Sequence, residues 1–553
     1  MGHDVHNHEI WDQRRPTEAG VVKDDLVQQV QAWIAADPDP DTRAELQALL
    51  DAGDEAALAD RFDGRLQFGT AGLRGAIGAG PQRMNRVIVR RAAWGFGRWL
   101  LDQTPGAADA GVAIGYDARR KSDVFAQDTA QVLAAMGIRA FLLARRLPTP
   151  LLAFAVHHLG CAGGVMVTAS HNPPSDNGYK VYLADAAQIV APADVEISAR
   201  IDGAPDDIDL APAGFPLIIS VDAEVVDAYV KGAVAVPFVP HARDVRVAYT
   251  PLHGVGRAVA MEAFVRAGFP PPAVVAEQAE PDPTFPTVAF PNPEEPGAMD
   301  LLLALARSTQ ADIALANDPD ADRLAAAIPS RDGWRVLSGN ELGWLLADHV
   351  LQHTSGDHRL VVTTVVSSKL LSKMAAAEHV VYAETLTGFK WIARAIAEHP
   401  QTRFVFGYEQ ALGYLVGDTL TRDKDGITAA LVMAEIAALA KLHGVTVQDR
   451  LDDIERRYGR HRLAERSLRL DPAEMSAFME HLRVEPPKSL AGVAVESVTE
   501  RADAELFILQ LAGGARVLVR PSGTEPKVKL YAEVVGDQVD PDDLLAVLYQ
   551  SPN

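Results

Sequence analysis

Three aspartates spaced two apart, in "NDPDADRLA", put Asp318, Asp320 and Asp322 directly after the apolar run "DIALA". Carboxylates that close repel one another unless a cation neutralises them. Their hard oxygens suit Mg²⁺, which keeps open positions for a phosphate oxygen or water. An EF-hand calcium loop does not fit, because Arg323 stands where that loop needs glycine and Pro329 where it needs glutamate. Alone, the run reads equally well as a polar turn ahead of the next element.

The second group is "VMVTASHNPPSDNGYKVY", residues 165–182. A run of β-formers ends in Thr168, Ala169, Ser170, His171 and Asn172, and Pro173 and Pro174 stiffen the loop beyond them. A hydroxyl held rigidly at a strand mouth suits a nucleophile. Adjacency makes His171 a catalytic candidate beside Ser170. As a hydrolase base it is badly placed, because neighbouring residues of an extended chain point to opposite sides. There is also no G-x-S-x-G elbow. A serine, a carboxylate-held metal and separate anion-binding loops suit phosphoryl transfer better than acyl transfer.

Three further loops could grip an anion or a sugar. In "RPSGTEPKVKLY", Arg520 offers a planar fork, Ser522 and Thr524 offer hydroxyls, and Gly523 lets backbone N–H groups approach a phosphate. In "VYAETLTGFKW", Lys390 could hold an anion, and in "FGYEQALGYL", Glu409 could accept sugar hydroxyls. Each of those two charges reads equally as a solvated surface group. The glycine-rich "GTAGLRGAIGAG", with Arg74, lacks GK[ST] and the strand–helix setting of a nucleotide loop.

The elements that must position these residues are set by the pattern. Short β-rich runs such as "GVAIGYDARR", "VRVAYTPLHGVG" and "RLVVTTVVSS" alternate with helical segments, which predicts α/β layers with sheets covered on both faces. Each polar loop comes after a strand end, where α/β folds place ligands. Near residue 445 the character changes to an antiparallel β pattern with helices, a smaller α+β domain. A chain of 553 residues is too long for one core, and about three to five domains are expected. The expected divisions are a tail and helix over 1–40, then 41–205 with the serine loop, 206–325 with the aspartates, 326–445 with the sugar loop and 446–553 with the phosphate loop.

Bulk properties exclude several classes. The net charge of −22, from 52 Lys+Arg against 74 Asp+Glu, opposes a nucleic-acid partner. A single cysteine, Cys161, rules out an intramolecular disulfide and fits a reducing compartment. The start "MGHDVHNHEIWDQRRP" has no signal-peptide core, and no run approaches the roughly 18 apolar residues of a membrane span. A cytoplasmic, soluble protein without membrane attachment is expected, as a monomer or homodimer. His3, His6 and His8 read as a tail, and His253 reads as structural.

"TASHNPPSDNGYKVY", "DPDADR", "GYEQALGY" and "RPSGTEPK", in that order, resemble the α-D-phosphohexomutase superfamily, phosphoglucomutases and phosphomannomutases. "GTAGLRG" and "SDNGYKVY" look most like the branch with bacterial phosphoglucomutases and phosphopentomutase-like enzymes. The resemblance runs from about residue 40 to the C-terminus. It implies three α/β domains with mixed sheets around a central cleft and a smaller C-terminal α+β domain. It further implies that Ser170 carries a phosphoryl group and, with Asp318, Asp320 and Asp322, holds Mg²⁺. Sugar monophosphates would be the substrates, glucose 1-phosphate and glucose 6-phosphate foremost, and glucose 1,6-bisphosphate the intermediate and activator; mannose or pentose phosphates, or a Mg²⁺-dependent sugar-phosphate phosphatase or bisphosphate synthase using the same serine, are the alternatives. Lys180 and Arg74 match positions near the reacting phosphate, Lys180 as general acid/base. Substrate would be bound by Arg323, Thr387, Gly388, Lys390, Glu409 and Gln410, and its distal phosphate by Arg520, Ser522, Gly523 and Thr524. Many relatives carry Glu-x-Ser in the sugar loop; here Glu409 precedes Gln410 and Ala411, so Tyr408 or Gln410 is the expected substitute. Phe389 stands where some relatives put histidine.

Overall fold

Strands with every residue buried, such as Gly163–Val167 and Ile313–Asn317, are near-continuous apolar runs, as parallel strands covered on both faces must be. The computed structural model describes residues 19–501, 504–521 and 527–550. His3, His6 and His8 lie outside the described residues, as do Ser522, Gly523 and Thr524.

The first sheet runs, edge to edge, Leu73–Ala76, Asp176–Leu183, Gly163–Val167, Val112–Tyr116, Ala140–Leu143 and Ile218–Val221. Its last four strands are parallel, and the hairpin return Asp176–Leu183 is antiparallel. The second sheet is built the same way. Ala273–Val274, Val247–Thr250 and Ile313–Asn317 are parallel, and Leu324–Ser330 turns back antiparallel to pair with Gly333–Val336. In the third, Val381–Thr385, Arg359–Thr364 and Arg403–Glu409 are parallel, and Gly413–Val416 returns antiparallel. One device thus recurs three times. A buried parallel strand ends, the chain makes a polar turn, and an antiparallel strand carries it back. The three turns hold Ser170, the three aspartates and Glu409.

The second turn is locked to the third by an antiparallel bridge between Arg323 and Gly413, in which the Leu324 amide donates to the Leu412 carbonyl at 3.1 Å. Behind them runs the helix Gly426–Leu442, started by Asp425, whose carboxylate accepts from the Ile427 and Thr428 amides. It is buried almost throughout. Among the described residues no single helix is long and apolar enough to cross a membrane, and the bend of 94° after this helix returns the chain to the protein surface.

The fourth sheet is antiparallel throughout, in the order His461–Arg469, Lys527–Val535, Arg516–Pro521, Leu506–Leu511, Val493–Arg501 and Ser489–Leu490. It has its own core around Leu509, Val517 and Leu530. A continuous apolar cluster runs from Leu151 and Tyr182 through Leu315 to Phe406, so the first three units share one core. The fourth joins them through a small patch, where Val365 and Val366 meet Leu518 and Tyr531. Beside it lies a buried polar latch. Glu533 accepts from Ser368 Oγ (2.6 Å), the Lys369 amide (2.9 Å) and Arg516 Nε (2.8 Å).

The α/β architecture of three mixed sheets and a smaller α+β unit is therefore the one expected. Helices Ala19–Ala36, Pro40–Ala52 and Glu55–Phe62 precede the first sheet and pack around Val30, Leu46, Leu58 and Ala79.

Candidate active site

Ser170 is not extended. Its φ is +51°, in the left-handed region that non-glycine residues rarely occupy. Its amide donates to Thr168 Oγ1 at 2.8 Å, and Thr168 Oγ1 donates to the buried Asp117 carboxylate at 2.6 Å. This backbone corrects the expected opposition of Ser170 and His171, because in the turn Nδ1 of His171 lies 3.2 Å from Ser170 Oγ. Burial and the charges of Arg323 and Arg74 push the imidazole pKa well below its ordinary value. No hydrolase triad results, since the carboxylate near the ring, Asp318, lies on the same nitrogen at 3.9 Å.

Ser170 Oγ donates to Asp318 Oδ2 at 2.7 Å, which joins the first turn to the second. Asp318, Asp320 and Asp322 are buried, and an oxygen from each lies within 4.8 Å of the others. Burial and the charges of Asp320 and Asp322 push Asp318 well above the usual carboxylate range. Burial raises the other two as well, and Asp320 raises Asp322, but several partners together hold both below that range: Lys180 with the hydrogen bonds of Asp318 and Thr149 for Asp320, and Lys180 with Lys424 and Arg323 for Asp322. The donors are in place: Lys180 Nζ gives 2.8 Å to Asp320 and 3.0 Å to Asp322, and Thr149 Oγ1 gives 2.6 Å to Asp320. Asp320 Oδ1 and Asp322 Oδ1 are buried without a hydrogen-bond partner. A buried acceptor left unmade costs about 1–3 kcal/mol, more when charged. Two such oxygens beside a third carboxylate and a serine hydroxyl are the donor set of a small, hard divalent cation, and the residues fit Mg²⁺.

Basic groups ring the cluster. Lys180 reaches it from the antiparallel return, in register with Met166. Burial disfavours its charge, but Asp320 and Asp322 hold its pKa above the ordinary amine value. Arg74, from the edge strand, donates to Asn172 Oδ1 at 3.1 Å and so braces the serine loop. Arg323 donates to the Ala411 carbonyl at 2.7 Å and is kept charged by Glu409 and Asp322. Lys424 lies 3.4 Å from Asp322 and 5.6 Å from the Phe389 ring centroid.

The third turn brings Glu409, nine-tenths buried, among Arg323, Lys390 and Lys424. Thr387 and Gly388 precede the helix Phe389–Glu398, with Gly388 at φ +112° before its first turn. Lys390, in that turn, contacts Thr70 Oγ1 of the "GTAGLRG" loop across the cleft. Burial, partly offset by Asp194 and Glu409, lowers its pKa to about 8. Arg520 is the penultimate residue of the strand Arg516–Pro521 of the fourth unit, near enough to Lys390 for its charge to be felt. Two expected substitutes for the missing sugar-loop serine are engaged elsewhere. Tyr408 is buried, with its hydroxyl on Asn340 Oδ1 at 3.0 Å, and the Gln410 amide oxygen accepts from Ser367 at 3.3 Å. The structure does not bring either to the Glu409 cluster. His253 is buried, its Nε2 2.8 Å from Thr287 Oγ1, away from these groups.

Sequence reading misses Asp117, Arg119, Thr149 and Lys424. The signals are a strand end, "IGYDARR", and the charged turn "TRDKDG", both of the kind singled out elsewhere in the chain.

Comparison with known proteins agrees with this geometry. Profiles of the phosphoglucomutase/phosphomannomutase family match in order: alpha/beta/alpha domain I over residues 65–206, domain II over 227–331, domain III over 338–458 and the C-terminal domain over 482–547. A Haemophilus influenzae protein described as "Probable phosphomannomutase" is 43% identical, over 84% of this chain and 96% of that one. Human phosphopentomutase is 34% identical, over 94% and 93%. In fold, a crystal structure of a phosphoglucomutase/phosphomannomutase family protein from Burkholderia thailandensis superposes with a TM-score of 0.68 at 21% identity, over 88% and 98% of the two chains. The chain belongs to the phosphoglucomutase/phosphomannomutase family, whose members are phosphosugar mutases that transfer phosphate within their substrates.

Proposed function

We infer that this mutase interconverts glucose 1-phosphate and glucose 6-phosphate through phosphorylated Ser170 and glucose 1,6-bisphosphate. The observation that carries the reading is Ser170 Oγ hydrogen-bonded at 2.7 Å to a buried carboxylate cluster with partnerless oxygens. The sugar hydroxyl oxygen attacks phosphorus, its O–H bond and the P–Oγ bond break, and the proton it gives up balances the one that Ser170 Oγ takes up. The bisphosphate then turns over in the cleft and returns its other phosphoryl group to Ser170. Mg²⁺ held by Asp318, Asp320, Asp322 and phosphorylated Ser170 would neutralise charge on the phosphoryl group. Lys180 is the proposed acid–base group and Arg74 steadies the loop. His171, its Nδ1 3.2 Å from Oγ, orients the leaving oxygen. Glu409 binds sugar hydroxyls; Arg323, Lys390 and the Thr387–Gly388 turn add positive potential for the substrate. Arg520, with Ser522, Gly523 and Thr524, grips the phosphate that is not reacting. Closure of the fourth unit excludes water, the competing acceptor. The reaction suits a cytoplasmic enzyme, as monomer or homodimer.

Support for glucose is the likeness of "GTAGLRG" and "SDNGYKVY" to the branch that holds bacterial phosphoglucomutases, a branch that also holds phosphopentomutase-like enzymes. Mannose and pentose phosphates are the alternative substrates, and a phosphatase or bisphosphate synthase using the same phosphoserine is the alternative reaction; the names of the relatives include phosphomannomutase, phosphopentomutase and glucose 1,6-bisphosphate synthase. Comparing kcat/KM for glucose, mannose and ribose 1-phosphates, with Mg²⁺ and the bisphosphate present, decides. The glucose reading requires the first to exceed the others at least tenfold, and a higher value for another sugar reassigns the substrate.

Lys390 gives a pH prediction. Its ammonium is charged below about pH 8 and neutral above. A phosphate monoester, with its second pKa near about 6, is already a dianion there. The grip on substrate is thus present at low pH and lost as pH rises through 8, and kcat/KM falls by about tenfold in that limb, the loss of one charge-assisted hydrogen bond. Lys390→Met should start about tenfold lower and be flat across the window. An unchanged limb in this variant assigns the titration to another group.

A further inference from the structure

Four backbone carbonyls of the serine loop converge on one buried guanidinium. Arg119 Nη2 donates to the carbonyls of Ser170 (2.7 Å) and Asn172 (2.6 Å), and Nη1 to those of Pro173 (2.7 Å) and Asp176 (3.0 Å). The residue is only 3% exposed. Behind it Asp117 accepts from the Arg119 amide (2.9 Å), Ser122 Oγ (2.8 Å) and Thr168 Oγ1 (2.6 Å), with Arg119 Nε 3.5 Å away. Thr168 in turn receives the Ser170 amide. The Ser170 peptide is therefore held at both ends: its amide through Thr168 and Asp117, its carbonyl by Arg119. The outer face of the guanidinium lies 5.1 Å from the ring centroid of Phe285, a buried residue of the aspartate-bearing unit.

We propose that Arg119 is the positioning residue of the phosphoryl-carrying serine, which holds the left-handed turn at Ser170 and sets Oγ against the aspartate cluster of the second unit. The inference rests on the mutase reading above. A non-glycine residue at φ +51° is strained by about 1–3 kcal/mol and persists only where its surroundings enforce it. Here the enforcing contacts are charge-assisted hydrogen bonds to that peptide and its neighbours. Only a guanidinium offers donors in a fixed fork that can serve four carbonyls; an ammonium has three on one point. Arg119 touches no reacting atom. It controls where Oγ sits, and in-line transfer tolerates little error, about 100-fold in rate for 1 Å. The loop also keeps water off the phosphoserine, so loosening it should raise hydrolysis relative to transfer.

The test compares wild type, Arg119→Lys and Arg119→Ala, each primed with glucose 1,6-bisphosphate, with Ser170 phosphorylation quantified by mass spectrometry. Expected for Arg119→Lys are a kcat lower by about 100-fold, KM within about twofold, and more inorganic phosphate released per mutase turnover. Added guanidinium ion should restore part of the kcat of Arg119→Ala. A merely structural residue would move neither the partition to phosphate nor the response to guanidinium. Should either variant be unfolded at the assay temperature, Asp117→Asn, which loosens the same clamp from behind, is expected to show the same change of partition. Phosphorylated wild type with wild-type kcat and partition in the folded variants overturns the role of Arg119. Wild type that carries no phosphate on Ser170 overturns the mutase reading itself, and this inference with it.

Discussion

Ser170→Ala is expected to abolish mutase turnover, with kcat lower by at least about 10⁴-fold, as when other enzymes lose a covalent nucleophile. His171 does not stand in for Oγ, since its Nδ1 lies 3.2 Å to one side of Oγ and 3.9 Å from the Asp318 oxygen that Oγ meets at 2.7 Å. Thr168 is committed to Asp117. The fold should survive, because Ser170 Oγ is one hydrogen bond in a loop whose shape is set by Arg119, Asp117 and Thr168. Alanine at φ +51° is strained as serine is, so the added cost is about 1 kcal/mol. Substrate binding, carried by other loops, should change less than about threefold by calorimetry. A folded variant that retains more than one-hundredth of wild-type turnover means the phosphoryl group does not pass through Ser170.

Asp318→Asn should separate the aspartates' role in the fold from their role in holding a metal. In wild type the buried, like-charged neighbours push the Asp318 carboxyl well up, a sign that its charge is costly where it stands. The amide keeps the shape and removes that charge, so without metal the variant should melt at or above the wild-type temperature. Mg²⁺ should stabilise wild type by about 2.7 kcal/mol at 100 times its dissociation constant and leave the variant unmoved. Turnover of the variant should fall by about 10³-fold, the scale of a metal's contribution to transition-state charge. Chelation of wild type should give the same loss, reversed by Mg²⁺. If the variant melts lower without metal and Mg²⁺ stabilises both proteins alike, the aspartates are a polar turn and the cation binds elsewhere.

Legibility in the sequence depends on how local each feature is. The three turns are visible because each is a local event: an apolar run that stops at "TASHN", "NDPDADR" or "GYEQAL" must expose polar groups at a sheet end. The α/β class and the antiparallel fourth unit are visible for the same reason. His171 is misread from sequence because its direction depends on a left-handed serine, and that conformation is imposed by Arg119, far along the chain. Lys424 and Thr149 escape notice because each acts on an aspartate brought to it by a different unit. Gln410 matches the expected loop by position, yet its amide is turned to Ser367. A pattern of residue types carries spacing along one strand; it does not carry register between sheets.

The fate of one phosphoryl group is the sharpest test. Enzyme labelled on Ser170 with radioactive phosphate would be mixed with unlabelled glucose 1-phosphate and quenched within a single turnover. The label should leave Ser170, appear first at the 6-position of glucose 1,6-bisphosphate and then in glucose 6-phosphate, with Ser170 rephosphorylated from the substrate's own phosphate. Label released as inorganic phosphate, or retained on the protein while product forms, would contradict transfer through Ser170.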